Sequence, residues 1–263
     1  MSGSPSIPVH ESVHDMVRAT DVSVAYGPKP ALDRVSFRVP AGVTCLLGPN
    51  GAGKSTLIRL IATIDPLRSG RIVVAGNDLG DAAGRRRVRS SLGYLPQTYG
   101  FWPGFTVLEF LVYFAWVRQV PRRERRSAAL KALAAVDLVA EAGTTMKKLS
   151  GGMLRRAGIA QALVADPAVV VLDEPFAGLD PRQRAQLREL IVRLGSTRTV
   201  LLSTHHLDDL AALCDHVVVL DSGRLAFHGS LGDFLERGGA QGAPADGASA
   251  YTSLLGPGRS VPC

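Results

Sequence analysis

Cysteine is scarce in this chain: Cys45, Cys214 and Cys263 are the only three, and none stands at metal-ligand spacing from another. Cys45 and Cys214 lie in apolar context and read as core thiols. Long apolar runs are missing too. The longest, Val107 to Val117, already contains Glu109 and falls well short of the roughly 20 residues that cross a bilayer. The opening MSGSPSIPVHESVHD lacks the basic start and apolar stretch of a secretion signal. The chain is therefore expected to stay in the cytoplasm, with any membrane role exercised through a partner. Aromatics make up only 6% of residues, and none interleaves with the arginine clusters that supply much of the +7 net charge. Those clusters are Arg85–Arg86–Arg87 with Arg89, and Arg122–Arg123 with Arg125–Arg126. Without stacking partners they read as solvated helix faces, and no nucleic-acid partner is expected.

What remains is the composition of an ordinary globular domain, 46% hydrophobic and 20% charged. Residues 1 to about 15 are expected to form a disordered arm. The alternating VSVAY and VSFRV segments predict two strands joined by a turn at Gly27–Pro28. VTCLLG (43–48) predicts a buried strand feeding a Gly-rich turn, and KSTLIRLIATI predicts a helix after it. RIVVAG (71–76) predicts a further strand. From about Thr106 to Leu163 the periodicity becomes helical and rich in Ala, Leu and Arg. Apolar strands then return as VVVLD (169–173), TVLLST (199–204) and HVVVLD (216–221), the first two flanking a polar helix from Pro181 to Leu194. That order predicts a parallel sheet with crossover helices, interrupted by a helical insertion. After about Arg237, GGAQGAPADGASA predicts a low-complexity linker, so residues 236–263 are expected to be a tail in which YTSLL docks loosely at most.

Between the strand at 43–47 and the helix that follows lies Gly48-Pro49-Asn50-Gly51-Ala52-Gly53-Lys54-Ser55, a complete G-x-x-x-x-G-K-[ST] motif. Glycines let the backbone curl so that successive N–H groups point at phosphate oxygens, and the helix that Thr56 continues adds its positive end. Lys54 is placed for the β- and γ-phosphates, and Ser55 for Mg²⁺. VVVLDEP supplies the complement. Its apolar strand carries Asp173 to the carboxyl end of the sheet, where it can hold Mg²⁺, and Glu174 beside it can orient or deprotonate an attacking water.

With Leu149-Ser150-Gly151-Gly152-Met153 added, residues 16–235 resemble the nucleotide-binding subunit of ABC transporters. The resemblance implies an α/β fold: a P-loop NTPase (RecA-like) core with an N-terminal antiparallel β subdomain and an α-helical subdomain inserted at about 98–165. It implies that Tyr26 stacks on adenine and that Gln97, in YLPQ, touches Mg²⁺ and senses the γ-phosphate. Ser150, Gly151 and Gly152 become a signature loop acting on the partner subunit's ATP, Asp180 a dimer-seam residue, and His205 a catalytic histidine at the γ-phosphate. Met153 departs from the family's usual glutamine, which puts only that side chain's contact in doubt. His206, adjacent, is the alternative to His205; His10, His14, His216 and His228 read as surface or arm residues.

The resemblance further implies ATP and Mg²⁺ as ligands, and a peripheral location on the cytoplasmic face of the membrane. Its partners would be an integral membrane subunit encoded as a separate chain and a second copy or homologous ATP-binding subunit. The LSGGMLRRAGIAQAL and STHHLDDLAALCD stretches resemble separate-chain exporters most. The aromatic TYGFWPGFTVLEFL after Gln97 is expected to dock on the membrane subunit. Importer subunits remain an alternative, as do ABC-type ATPases of nucleic-acid or translation processes. The latter usually carry two sites, a coiled coil or metal-binding cysteines, all missing from a chain with about 120 residues between P-loop and VVVLDEP. A regulatory subunit without turnover is a third alternative, opposed by the presence of Glu174 and His205.

Overall fold

The computed structural model describes residues 15–205, 207, 210–238 and 247–255. The expected arm (through residue 14), His10, His14, His206, Cys263 and residues 239–246 of the expected linker lie outside the described residues.

Two sheets carry the fold. Strands β1 (Val17–Tyr26) and β2 (Lys29–Val39) form the hairpin closed by Gly27–Pro28, with Tyr26 opposite Lys29. They join β4 (Arg71–Val74) and β5 (Asn77–Asp78) in an antiparallel sheet of order β2-β1-β4-β5. The second sheet contains β3 (Val43–Leu47), β6 (Leu92–Leu95), β7 (Val169–Leu172), β8 (Thr199–Ser203), β9 (His216–Asp221) and β10 (Arg224–Ser230), in the order β10-β9-β3-β8-β7-β6. Five of these strands run parallel; β10 pairs antiparallel with β9 at one edge. β3, β7 and β8 are buried at every residue, which is why they read as continuous apolar runs rather than alternating ones.

The two-residue period of a strand divides the parallel sheet between two cores. Val43, Cys45, Leu47, Val170, Leu172, Val200, Leu202, Val217 and Val219 face one apolar cluster. That cluster also holds helices α3 (Val107–Val117), α4 (Arg125–Ala135), α5 (Gly151–Leu163) and α6 (Pro181–Gly195). Leu46, Val169, Val171, Leu201, Val218 and Leu220 face the other, shared with helix α1 (Lys54–Ile61) and the antiparallel sheet. Helix α2 (Ala82–Ser91) carries the first arginine cluster, and three of its arginines have specific partners. Arg85 donates to Leu79 O (2.9 Å), Arg87 to Asn77 Oδ1 (2.7 Å) and Arg89 to Thr63 Oγ1 (2.8 Å). They tie α2 to the turns before it.

The carboxyl end of the chain departs from the expected low-complexity tail. Helices α7 (Leu231–Gly238) and α8 (Gly247–Leu255) pack on each other and on β10. Phe234 is fully buried with its ring 5.5 Å from Phe227, and Ala250 and Tyr251 are buried beside them. Truncating a ring so enclosed costs about 3–5 kcal/mol, so this hairpin is docked rather than loose. Composition alone concealed it, because Gly, Ala and Ser in 247–250 supply little apolar signal while small side chains permit close helix packing.

Candidate nucleotide site

The parallel strands deliver the site at one edge. β3 ends in the P-loop, β8 in Thr204 and His205, β7 in Asp173 and Glu174, and β6 in Pro96 and Gln97; the sheet order β3-β8-β7-β6 sets these ends side by side. Such an edge is where open α/β sheets place ligands. Tyr26, the P-loop from Pro49 to Thr56, Gln97 and Glu174 line one cleft of about 340 Å³.

The loop shape depends on glycine. Gly53 caps α1 at φ 102°, and a Cβ there would lie 2.5 Å from Ala31 O. Neither the left-handed backbone nor the contact tolerates a side chain. At the loop's start a Cβ on Gly48 would lie 2.4 Å from Leu220 O. Lys54 is 7% exposed, and its ammonium donates to Gly48 O (2.6 Å) and Pro49 O (3.2 Å). Burial draws its pKa below the ordinary lysine value, while the Glu174 and Asp173 carboxylates oppose that shift.

Glu174 is 8% exposed and sits at φ 47°, a left-handed backbone unusual for a side-chain-bearing residue. Several contacts hold it there. Its N–H donates to Ser203 Oγ (2.8 Å), its carbonyl accepts from Ala177 N–H (3.2 Å), and its Oε2 lies 2.9 Å from His205 Nδ1. Ser203 Oγ in turn donates to Asp173 Oδ1 (2.7 Å), so one hydroxyl orients both acidic residues. Sequence reading had passed over Ser203. No local sequence signal marks it: the pairing of Leu172 with Leu202, a feature of the fold, sets Ser203 beside Asp173.

Tyr26, at the end of β1, is 58% exposed, as a stacking platform requires. Its hydroxyl reaches Asp65 Oδ2 (3.4 Å), and Arg59 grips that carboxylate with two bonds of 2.8 Å. The Arg59 bond, first among several causes, holds the Asp65 carboxyl below its usual pKa. Ser55, Gln97 and Asp173 all offer oxygen donors, the chemistry that a hard divalent cation prefers, and Asp173 is held in orientation by Ser203.

Ser150, Gly152, Met153 and Asp180 line a different cleft, of about 820 Å³, together with Arg156 and Gln183. Ser150 caps α5, its Oγ accepting from Met153 N–H (3.3 Å). Asp180 caps α6, its Oδ1 accepting from Gln183 N–H (2.8 Å). Thus Tyr26, the P-loop, Gln97, Glu174 and His205 come together, whereas the Ser150 loop stands apart from them.

Near Gln97 the aromatics divide. Tyr99 turns inward; its hydroxyl donates to Leu154 O and burial pushes its pKa up to about 12. Phe101 is half-buried against it. Trp102 and Trp116 remain 44% and 55% exposed and flank Tyr113, with ring centroids 4.7 and 5.6 Å from it. Among the described residues no helix is long and apolar enough to cross a membrane.

Residues 32–177 match the ABC transporter family. An ABC transporter ATP-binding protein of Synechocystis sp. is 41% identical over 212 residues, 78% of this chain and 58% of that protein. The Nod factor export ATP-binding protein I of Rhizobium etli is 36% identical over 82% of this chain and 69% of its own length. The methionine import ATP-binding protein MetN of Caulobacter vibrioides is 37% identical over 82% and 67%. This chain therefore spans little more than half of the Synechocystis relative and about two thirds of the other two. A solved ATP-binding subunit of an ABC transporter superposes with a TM-score of 0.78 at 29% identity, covering 92% of this chain and all of that one. ATP-binding domains of this family are ATPases coupled to transport, with a P-loop NTPase fold of parallel and antiparallel sheets. By this likeness and by the site it builds, the chain belongs to the ABC transporter family as an ATP-binding subunit.

Proposed function

We propose that this subunit hydrolyses ATP with Mg²⁺ in a two-subunit sandwich, on the cytoplasmic face of a membrane, and powers export through a separately made membrane subunit. The observation that carries the reading is the Glu174–His205 contact of 2.9 Å at a sheet edge shared with the P-loop. Residues 16–235 form the working unit, with about 98–165 as its helical insertion.

Within that unit the P-loop N–H groups and Lys54 bind the phosphates, and Tyr26 stacks on the base. Glu174 accepts a proton from, or orients, the attacking water at the γ-phosphate. His205 fixes the Glu174 carboxylate and faces the same phosphate. Ser55, Asp173 and Gln97 would hold a Mg²⁺, which would supply neutralisation of the charge on the phosphates. Ser150, Gly151 and Gly152 cap the ATP of the partner subunit, a second copy or a homologue, with Asp180 at the seam. Their separate cleft supports that division. ATP favours the closed pair because its γ-phosphate supplies contacts that ADP does not, and hydrolysis reopens it.

Trp102, Tyr113 and Trp116 form the docking surface for the membrane subunit, because exposed clustered aromatics of this kind serve as interface anchors. Relatives work in both directions, so export rests on the LSGGMLRR and STHHLDD stretches. The test isolates the chain with its co-purifying membrane protein and reconstitutes both in vesicles. ATP-dependent movement of a substrate away from the face bearing this subunit is expected. Movement toward it makes the complex an importer, and co-purification with nucleic acid instead removes the transport reading.

A further inference from the structure

We infer that Arg155 is a positioning residue for hydrolysis, a strut that sets the Glu174 backbone and couples it to the signature helix α5. The inference rests on the reading of Glu174 given above.

Arg155 occupies the buried stripe of α5. Positions 155, 158, 159, 162 and 163 follow the i, i+3, i+4, i+7, i+8 pattern, and every one is buried. A charged residue on that stripe, 7% exposed, requires compensation. The guanidinium has five N–H donors, and five backbone carbonyls meet them. Nε donates to Pro175 O (2.8 Å). Nη1 donates to Gln97 O (2.9 Å) and, at the limit of bonding distance, to Pro96 O (3.5 Å). Nη2 donates to Asp173 O (3.0 Å) and to Glu174 O.

These carbonyls belong to two different loops. Pro96 and Gln97 follow β6, while Asp173, Glu174 and Pro175 follow β7. One planar cation on α5 therefore fixes both strand ends of the candidate site at once. Tyr99 adds a second tie, its hydroxyl donating to Leu154 O on the same helix. Its ring packs where Gly158 leaves room, since a Cβ there would lie 2.7 Å from the ring.

The consequence for chemistry follows from Glu174's left-handed backbone at φ 47°. A carbonyl fixed by Arg155 and an N–H fixed by Ser203 define the peptide planes on both sides of Cα, and hence the direction in which the carboxylate leaves the chain. Ser150, the residue that faces the partner's ATP in the proposed sandwich, caps the start of α5. Displacement of α5 therefore moves Glu174 and Gln97 together. Capping of one ATP and alignment of the water at the other become linked through a single rigid fork.

Lysine is the informative replacement, because it keeps the charge but has three donors on a point-like head and cannot span both loops. Arg155→Lys, Arg155→Gln and Glu174→Gln are compared with the parent full-length chain. The readouts are thermal transition, ATP affinity and steady-state phosphate release. The expected result for Arg155→Lys is a kcat lowered about tenfold or more, in line with the cost of small misplacements, with ATP affinity and thermal transition close to the parent's. Glu174→Gln should be nearly inactive beside it.

If Arg155→Lys turns over at the parent kcat while Glu174→Gln is inactive, the strut is wrong and the role of Glu174 stands. If Arg155→Lys and Arg155→Gln both lose their thermal transition and ATP affinity along with activity, Arg155 only holds the fold and the proposal is overturned. A Glu174→Gln chain that hydrolyses ATP at the parent rate overturns the reading of Glu174, and this one with it.

Discussion

At the P-loop cleft, side chains from adjoining strand ends hold one another in place; at the Ser150 cleft, the two capping side chains, Ser150 and Asp180, are each engaged by their own helix. Glu174 meets His205 at 2.9 Å, and Ser203 joins Glu174 to Asp173. Ser150 and Asp180, in contrast, accept from Met153 N–H and Gln183 N–H, ordinary N-cap bonds worth about 1 kcal/mol each. The difference teaches where the chemistry is assembled. On the proposed function, Glu174, His205 and the phosphate cradle are pre-set within one chain, while the Ser150 loop offers a helix end to an anion held by the partner.

The sharpest way to break that contrast is to remove the pre-set carboxylate. Glu174→Gln is expected to lower phosphate release by about 10²–10⁴-fold, the usual worth of a positioned acid–base group, while ATP still binds. Equilibrium binding and phosphate release on the same preparation check this; turnover near the parent rate would remove Glu174 from the role. Lys54→Ala removes a charge on the β/γ-phosphates rather than on the water, so affinity and turnover fall together. A charge-assisted bond of about 1.5–3 kcal/mol corresponds to roughly 10–150-fold in Kd. Unchanged affinity and hydrolysis in that variant would contradict the role of Lys54.

These groups were legible in the sequence because the chemistry demands short fixed strings on either side of apolar strands. GPNGAGKS and VVVLDEP announce both the strand and the ligand at its end. Ser203 and Arg155 were not legible in the same way. Ser203 acts through the pairing of β7 with β8, which joins residues 30 apart (Ser203 to Asp173), and Arg155 reaches carbonyls 18 to 59 residues away. Arg155 did leave a trace, as a charge on an apolar helical stripe. The β10 strand and the α7–α8 hairpin were missed for a different reason: RLAFHGS and GASAYTSLL are too mixed and too small-residue-rich for periodicity to register. The aromatic segment proposed for docking was legible only as an aromatic excess, since composition does not say which rings turn inward.

That division of rings gives the next test. Phe101 is half-buried on Tyr99, so changing it is expected to disturb the fold. Trp102→Ser with Trp116→Ser is the cleaner probe, because both rings are largely exposed. Loss of a central tryptophan anchor of about 2 kcal/mol weakens assembly about 30-fold. Recovery of the membrane subunit on an affinity-tagged chain should fall accordingly, with ATP affinity unchanged. If the double variant loses its thermal transition, the rings are part of the core and the docking surface lies elsewhere.

The smallest signal comes from asking which chain's Ser150 serves which P-loop, since at most half the sites of a dimer can answer. Two chains are prepared, both carrying Glu174→Gln so that bound ATP persists. One also carries Lys54→Ala and keeps a sound signature loop; the other carries Ser150→Arg and keeps a sound P-loop. Within either homodimer every site lacks the cradle or the cap, whether Ser150 acts within its chain or across the seam. The mixed dimer separates the two cases. If Ser150 acts across the seam, the sound P-loop of one chain faces the sound signature of the other, and one complete site forms beside one doubly damaged site. If it acts within its own chain, both sites of the mixed dimer stay broken as they were. Filter-retained ATP appearing only on mixing, at up to one per mixed dimer, is therefore expected. Verified mixed dimers that retain no more than the separate chains would place Ser150 outside the partner's site, and the contrast between the two clefts would lose its functional meaning.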